Sequence, residues 1–321
     1  MDLNKLSKYC AALAIALASC SRHEPLVLAI AAQQSPSQAF VYLAAELGYF
    51  RESGLDVRLE EFPGSAKAMQ ALLGGSVAVV SGYHEQVAGL DAGAPPVRAF
   101  FLMNRSLMVA VAVSPKASRR IETIADLRDA TVGVTTLGSA THSYLNRVLR
   151  RNGMREADVK PVAIGTASRA VAALERGAVD AGVVSDFTVR VLERSGPVRI
   201  LADTRTIEGV RETYGSDDYL GAVLFASAGW LAANGDSARR LVRAVARARD
   251  WALSRSPDEV VAKLPEPMRA GDAVMLREVM KGALALSAAD GKFTARAARV
   301  AVEIAAGNRA AEETYTNEFV E

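Results

Sequence analysis

Cysteine is nearly missing from this chain: of 321 residues only Cys10 and Cys20 are cysteines, and both stand in the first twenty. Downstream of Cys20 there is therefore no disulfide, no thiol nucleophile and no thiolate metal ligand. Histidine is almost as scarce. His23, His84 and His142 fall in no HxxxH or HExxH spacing, so the usual zinc signatures are excluded and no metal is expected. No GxxxxGK[ST] loop occurs, so the chain is not itself a phosphate-loop nucleotide hydrolase. Nor is one charge in excess: 38 basic against 36 acidic residues leave a formal +2, which argues against a nucleic-acid binder with its basic stripe. The arginines between 239 and 249 sit at helical spacing beside Leu241, Val242 and Val245 and read as the solvated face of a helix. What is abundant is apolar surface. Half the residues are hydrophobic, too many for a disordered chain, and a protein of this length buries enough in one or two cores to need no cross-links.

A run long enough to span a bilayer is also missing from the N-terminus, where Lys5 and Lys8 precede a short apolar stretch over 11–18. That pattern reads as a removable signal, the alternative being a short buried helix. Leu17-Ala18-Ser19-Cys20 resembles the lipobox of bacterial lipoproteins. The resemblance implies a signal peptide over 1–19, cleavage before Cys20, a diacylglyceryl group on the Cys20 thiol and a lipid-anchored tether over 20–25. Two acyl chains suffice for stable anchoring, so the expected location is the cell envelope, on the extracytoplasmic side. An ordinary secretory signal, with Cys20 incidental, would export the protein without the anchor.

From residue 26 strand and helix signals alternate. A strand over 27–31 is followed by Ser35-Pro36-Ser37-Gln38, which has the form of a capping box with proline at the first helical position. The next helix buries Phe40, Leu43, Ala44 and Leu47 and stops at Gly48. Leu55, Val57 and Leu59 alternate with charged residues as in a half-buried strand, Gly64-Ser65 opens a helix that ends at Gly74-Gly75, and 77–80 is a buried strand. This β-α-β-α-β order predicts a doubly wound parallel sheet. The same grammar restarts: strands over 131–135, 159–164, 179–184 and 198–202, helices over 140–152 and 168–176. Apolar segments at 107–113, ending in Ser114-Pro115, and at 220–226 read as two crossings between lobes, and helical patterns over 236–255, 257–264, 271–284 and 294–306 close the chain. The expected class is α/β, two doubly wound Rossmann-like lobes joined by two hinge crossings, with C-terminal helices. The first lobe is read as 26–112 plus 222–321 and the second as 113–221. Such lobes leave a cleft at their strand ends, where open α/β sheets place ligands.

Ala44-Ala45-Glu46-Leu47-Gly48-Tyr49-Phe50, Gly54-Leu55-Asp56-Val57, Gly64-Ser65 and Gly74-Gly75 resemble the N-terminal half of a family of solute-binding proteins, those for nitrate, sulfonate, taurine and pyrimidine precursors. The likeness continues through Ile124-Ala125-Asp126-Leu127, Val132-Gly133-Val134, Gly138-Ser139, Asn152-Gly153 and Gly177-Ala178-Val179-Asp180-Ala181, from about Leu26 to Pro265. The resemblance implies a periplasmic-binding-protein type 2 fold and a monomeric receptor that shuts around a small-molecule solute. It also implies a membrane permease as partner, driven by a separate cytoplasmic ATPase, with no cofactor and no catalysis by the chain itself. Where many relatives have an acidic residue and proline after the Val-Asp-Ala strand, this chain has Ser185-Asp186-Phe187.

The candidate ligand contacts lie in the turns after successive strands: Gln33 and Ser35, Gly64 and Ser65, then Gly138, Ser139 and Thr141, where free helix N–H groups can hold a polar or anionic group. Of these Gln33, Ser65 and Ser139 also match positions where the family places ligand contacts. Ser81-Gly82-Tyr83-His84-Glu85 adds a hydroxyl, a ring, an imidazole and a carboxylate, and Asp186 with Phe187 answers from the other lobe. Glu85 and Asp186 beside a small inorganic anion would cost several kcal/mol, since no Arg or Lys stands in these loops. The reading therefore favours a small organic molecule with hydrogen-bond donors, a flat ring between Tyr83 and Phe187 being one form, with a sulfonate held by helix starts still open. Rival readings are an enzyme like the pyrimidine-precursor-forming relatives, with His84, Glu85 or Asp186 as acid or base, and a ligand-sensing lipoprotein serving a membrane receptor. A transcription regulator's effector domain is disfavoured, because an export signal stands where a DNA-reading helix would.

Overall fold

The computed structural model describes residues 25–31, 35–216, 218–269 and 272–321. Residues 1–19, read above as a signal peptide, the tether from Cys20 and Gln33 lie outside the described residues. Ten strands, β1 (Leu26–Ile30), β2 (Val57–Glu61), β3 (Val79–Tyr83), β4 (Val97–Leu102), β5 (Val109–Val113), β6 (Thr131–Val134), β7 (Lys160–Ala163), β8 (Ala181–Ser185), β9 (Ile200–Asp203) and β10 (Ala222–Ser227), form two five-stranded sheets. The first has the order β2-β1-β3-β10-β4 and the second β7-β6-β8-β5-β9.

Neither sheet is wholly parallel. β1 runs parallel to β2 and β3, and β6 to β7 and β8, as the alternating grammar requires. But β10 runs antiparallel to both its neighbours, and so does β5. Each of these strands is the one the chain lays down on arriving from the other sheet, so it enters from the crossing side and runs against its neighbours. This also moves the first crossing. The apolar stretch read as a link ending the first lobe contains β5, buried along its whole length and paired with β8 and β9, so the passage is made earlier, by residues 103–108. A continuous buried apolar run is what a central strand covered on both faces needs. Likewise 222–226 is a strand of the first sheet, and the return passage precedes it.

Helices cover both faces of each sheet. Leu28, Ile30 and Phe100 pack under Leu43 and Leu241, from the helices Ala39–Glu46 and Gly235–Leu253, while Ala29, Val80 and Phe225 meet Met69, Leu72 and Ala297 on the other face. In the second sheet Val132 and Val183 share a core with Tyr144 and Leu145, and Ala110, Ala112 and Val184 share one with Leu174, Val189 and Leu192. Among the helices that the sequence pattern did not mark are Ile207–Tyr214 and Ala228–Ala233; each is capped by a hydroxyl, Thr206 accepting from Gly209 N–H and Ser227 from Trp230 N–H. The capping box read at Ser35 does not form. Ser35 makes no cap bond, and Gln38, fully buried, instead accepts from the Ser81 hydroxyl.

Candidate functional site

Between the sheets lies a cavity of about 270 Å³. Its floor is built from the C-terminal ends of parallel strands: Ala31 after β1, Tyr83 ending β3, Thr135 after β6, Gly165 after β7 and Ser185 ending β8. The turns leaving these ends start helices, so several helix N-termini and their hydroxyls converge on one space. Ser65 begins the helix Ser65–Leu73, Ser139 stands just before Ala140–Arg151, and Ser168 begins Ser168–Glu175. Ala167, before the last of these, is held at φ +48°, a conformation L-residues avoid, and it lines the cavity.

The two lobes touch here. The Ala140 N–H donates to Ser65 Oγ at 3.3 Å, and Gln86 Nε2 donates to the Gly138 carbonyl at 3.2 Å. Gly64 permits this approach, because a Cβ at that position would come within 2.8 Å of Thr136 Oγ1. Inside the second lobe Ser139 and Thr141 share a hydrogen bond of 2.8 Å, and Thr141 Oγ1 also accepts from Thr135 N at 2.9 Å. On the first lobe Ser37 bridges Ser35 at 2.9 Å and the Tyr83 hydroxyl at 2.8 Å. The hydroxyls of Ser35, Ser65, Tyr83, Ser139 and Thr141 are thus oriented by neighbours before anything binds.

Seven of the residues singled out in the sequence line the cavity: Ser35, Gly64, Ser65, Tyr83, Ser139, Thr141 and Phe187. Five others do not. Ser81 lies beneath, bonded to Gln38, and Gly138 serves through its backbone, with φ +75° and its N–H donating to His142 Nδ1 at 2.9 Å. His84 follows Tyr83 and points the other way, into the core against the ring of Phe293, 6.0 Å between centroids. Burial pushes its pKa down to about 3, so the imidazole is neutral, and neither ring nitrogen has a hydrogen-bond partner among the described residues. Glu85 is also buried, against the hydroxyl of Tyr219, and burial raises its pKa to about 8, outweighing that bond and the charge of Arg150, so the carboxyl is protonated at neutral pH. Asp186 faces arginines rather than the cavity: Arg190 Nε donates to it at 2.8 Å and Arg205 Nη1 at 2.7 Å.

These placements remove the premise that two carboxylates in the cleft would repel an anion. One is protonated and the other is paired on both oxygens, and none of the described residues lining the cavity carries a formal charge. Two groups of lining residues escaped the sequence reading. Thr166 and Ser168 follow β7 in a Gly-Thr-Ala-Ser turn whose composition carried the signal. Val261, Leu264, Met268, Leu276 and Met280 come from the C-terminal helices and form an apolar wall; at helical spacing they look like ordinary core.

Among curated proteins none matches the chain. A solved protein of Bordetella bronchiseptica RB50 is 31% identical with a TM-score of 0.85, over 92% of this chain and 95% of that one. The alkanesulfonate-binding protein SsuA of Xanthomonas axonopodis pv. citri, solved bound to MOPS, is 20% identical with a TM-score of 0.67, over 87% and 90% of the two chains. The desulfurization enzyme DSZB is 16% identical with a TM-score of 0.53, over 87% and 90%. The two-lobed periplasmic-binding-protein fold is therefore common to binding proteins and at least one enzyme. The family model described as NMT1/THI5 like matches residues 35–260, and the chain belongs to that family.

Proposed function

We propose that this protein is the extracytoplasmic solute-binding component of an ABC-type importer, exported by its N-terminal signal, anchored through Cys20, and capturing a small organic solute between its lobes. The observation that carries the reading is the Ser65 to Ala140 hydrogen bond at the cavity wall, which joins helix starts of both lobes beside the ligand space. A solute held by both sets of turns stabilises the shut form by its differential affinity, and a permease can read that form as loaded. The binding reading is favoured over catalysis by the site chemistry. His84, Glu85 and Asp186, the acid–base candidates, all point away from the cavity, and among the described residues that line it there is no base beside the hydroxyls. Sulfonates are the first solutes to test, on the strength of the SsuA likeness, since converging helix starts suit one negative charge.

Thermal shift with a panel of sulfonates, carboxylates, nitrate, pyrimidines and amines tests this directly. A ligand at 100 times its Kd adds about 2.7 kcal/mol to the folded state. The binding reading expects a raised Tm without consumption of the ligand, and a smaller radius of gyration by X-ray scattering if the free protein opens. Turnover of the same compound would establish the enzyme instead.

A further inference from the structure

The lobes also meet on the short helix His84–Ala88, which starts directly after the cavity residue Tyr83 and packs against Ala140–Arg151 of the second lobe. Two arginines of that second-lobe helix reach back to the first lobe: Arg150 donates to the Ile304 carbonyl, and Arg147 stands 3.7 Å from Glu303. Glu85 is in this seam, 1% exposed. Its Oε1 accepts from Tyr219, which belongs to the return passage between the lobes. The Tyr219 ring stacks on Tyr214, 3.8 Å between centroids, and Tyr214 meets Tyr144 edge-on at 6.3 Å; both partners belong to helices of the second lobe. A first-lobe carboxyl is thus buried where both lobes and their link come together. Glu85 Oε2 has no partner among the described residues, nor have the hydroxyls of Tyr144 and Tyr214.

An ionised carboxylate here would keep one hydroxyl donor and one bare oxygen, and burying it so is heavily penalised. Parting the lobes admits water to it. The nearest cation, Arg150, is engaged on Ile304, and Arg147 on Glu303. His142, on the same helix, is turned to Gly138 and Glu156, and His84 lies against Phe293. Lys67, Arg98, Arg296 and Arg299, from the other elements packed on His84–Ala88, are exposed. The shut form therefore holds the Glu85 proton more tightly than the open one, and by linkage a rise in pH favours opening.

Resting on solute capture as proposed above, we infer that Glu85 is a proton-controlled catch on that capture: with its carboxyl neutral the lobes seat, and on loss of the proton they part and release the solute.

X-ray scattering from the full chain without solute, between pH 6 and pH 9, tests this. The expected result is a radius of gyration that grows with pH in the wild type and stays constant in Glu85→Gln. Tyr219→Phe, which removes the one bond that favours the ionised carboxylate, moves the midpoint of the change to higher pH, and it serves alone if Glu85→Gln does not fold. Butanesulfonate, where it binds, is held at least about tenfold more weakly at pH 9 than at pH 6 by the wild type and equally at both by Glu85→Gln. A radius independent of pH in the wild type, the same growth in Glu85→Gln, or a midpoint unmoved in Tyr219→Phe overturns the inference and leaves solute capture standing. Silence across the solute panel, or turnover, overturns capture instead, and the scattering series still decides whether Glu85 controls the seam.

Discussion

His84 and Glu85 are neighbours in sequence, both buried and both uncharged at neutral pH, and they act on stability from opposite sides. The carboxyl is raised from an ordinary value of 4.5 to about 8, so its contribution is complete below pH 4.5 and is lost as pH rises toward 8. The imidazole is lowered from 6.5 to about 3, so its contribution is complete above pH 6.5 and is lost as pH falls. Between pH 4.5 and 6.5 the two slopes cancel. Glu85→Gln, which keeps an acceptor for Tyr219, is expected to remove the alkaline decline, gaining on the wild type by about 1.4 kcal/mol per pH unit up to pH 8 in urea unfolding. His84→Leu removes two unpartnered buried nitrogens, and its expected signature is a shallower loss of stability in acid. Asp186 carries a different prediction. Held by Arg190 and Arg205 and away from the cavity, it is structural, so Asp186→Asn should cost about 1–3 kcal/mol of stability, less than a fully buried pair because both arginines keep some solvent. Ligand affinity, measured below the new unfolding transition, is expected to be unchanged, and a large drop would put the carboxylate back in the site.

At the scale of elements, the turns after β2 and β6 meet across the cleft, and their fit depends on Gly64. In Gly64→Ala the added methyl meets the Thr136 hydroxyl, so the lobes are expected to seat less closely, with weaker binding of any solute and little change in Tm. Equal affinity in the variant would show that this contact does not form in the loaded protein. The turns themselves were readable in the sequence. Gly64-Ser65 and Gly138-Ser139 each stand between a strand pattern and a helical period, Ser185-Asp186-Phe187 follows an apolar strand, and strand ends share one side of a parallel sheet. The pairing that neutralises Asp186 was not. Arg205 follows β9, a strand whose place beside β5 depends on a crossing that local pattern mislocated. The apolar wall was hidden for another reason. Leu276 and Met280 are four residues apart on a helix, and a side chain facing a ligand space repeats with the same period as one facing a core.

For the whole molecule, the alternation of strands and helices settled the class, while the direction of β5 and β10 depended on which sheet the chain was leaving. The five strands of the second sheet are consecutive in the chain, whereas the first sheet is interrupted, because β10 is inserted between β3 and β4. Consecutive strands require shorter loop closures than a pairing that spans more than a hundred residues. A chain emerging N-terminus first can therefore complete the second sheet while the first still lacks an inner strand. Until Ala222–Ser227 arrives, β3 and β4 each present an unpaired edge, the kind of surface on which chaperones act and aggregation begins. Pulse-labelled hydrogen exchange during refolding is expected to show amide protection at Val132–Val134 and Val183–Val184 before Val80 and Phe101. If so, this protein is most vulnerable on the production line, in the interval between its two passages from one half to the other.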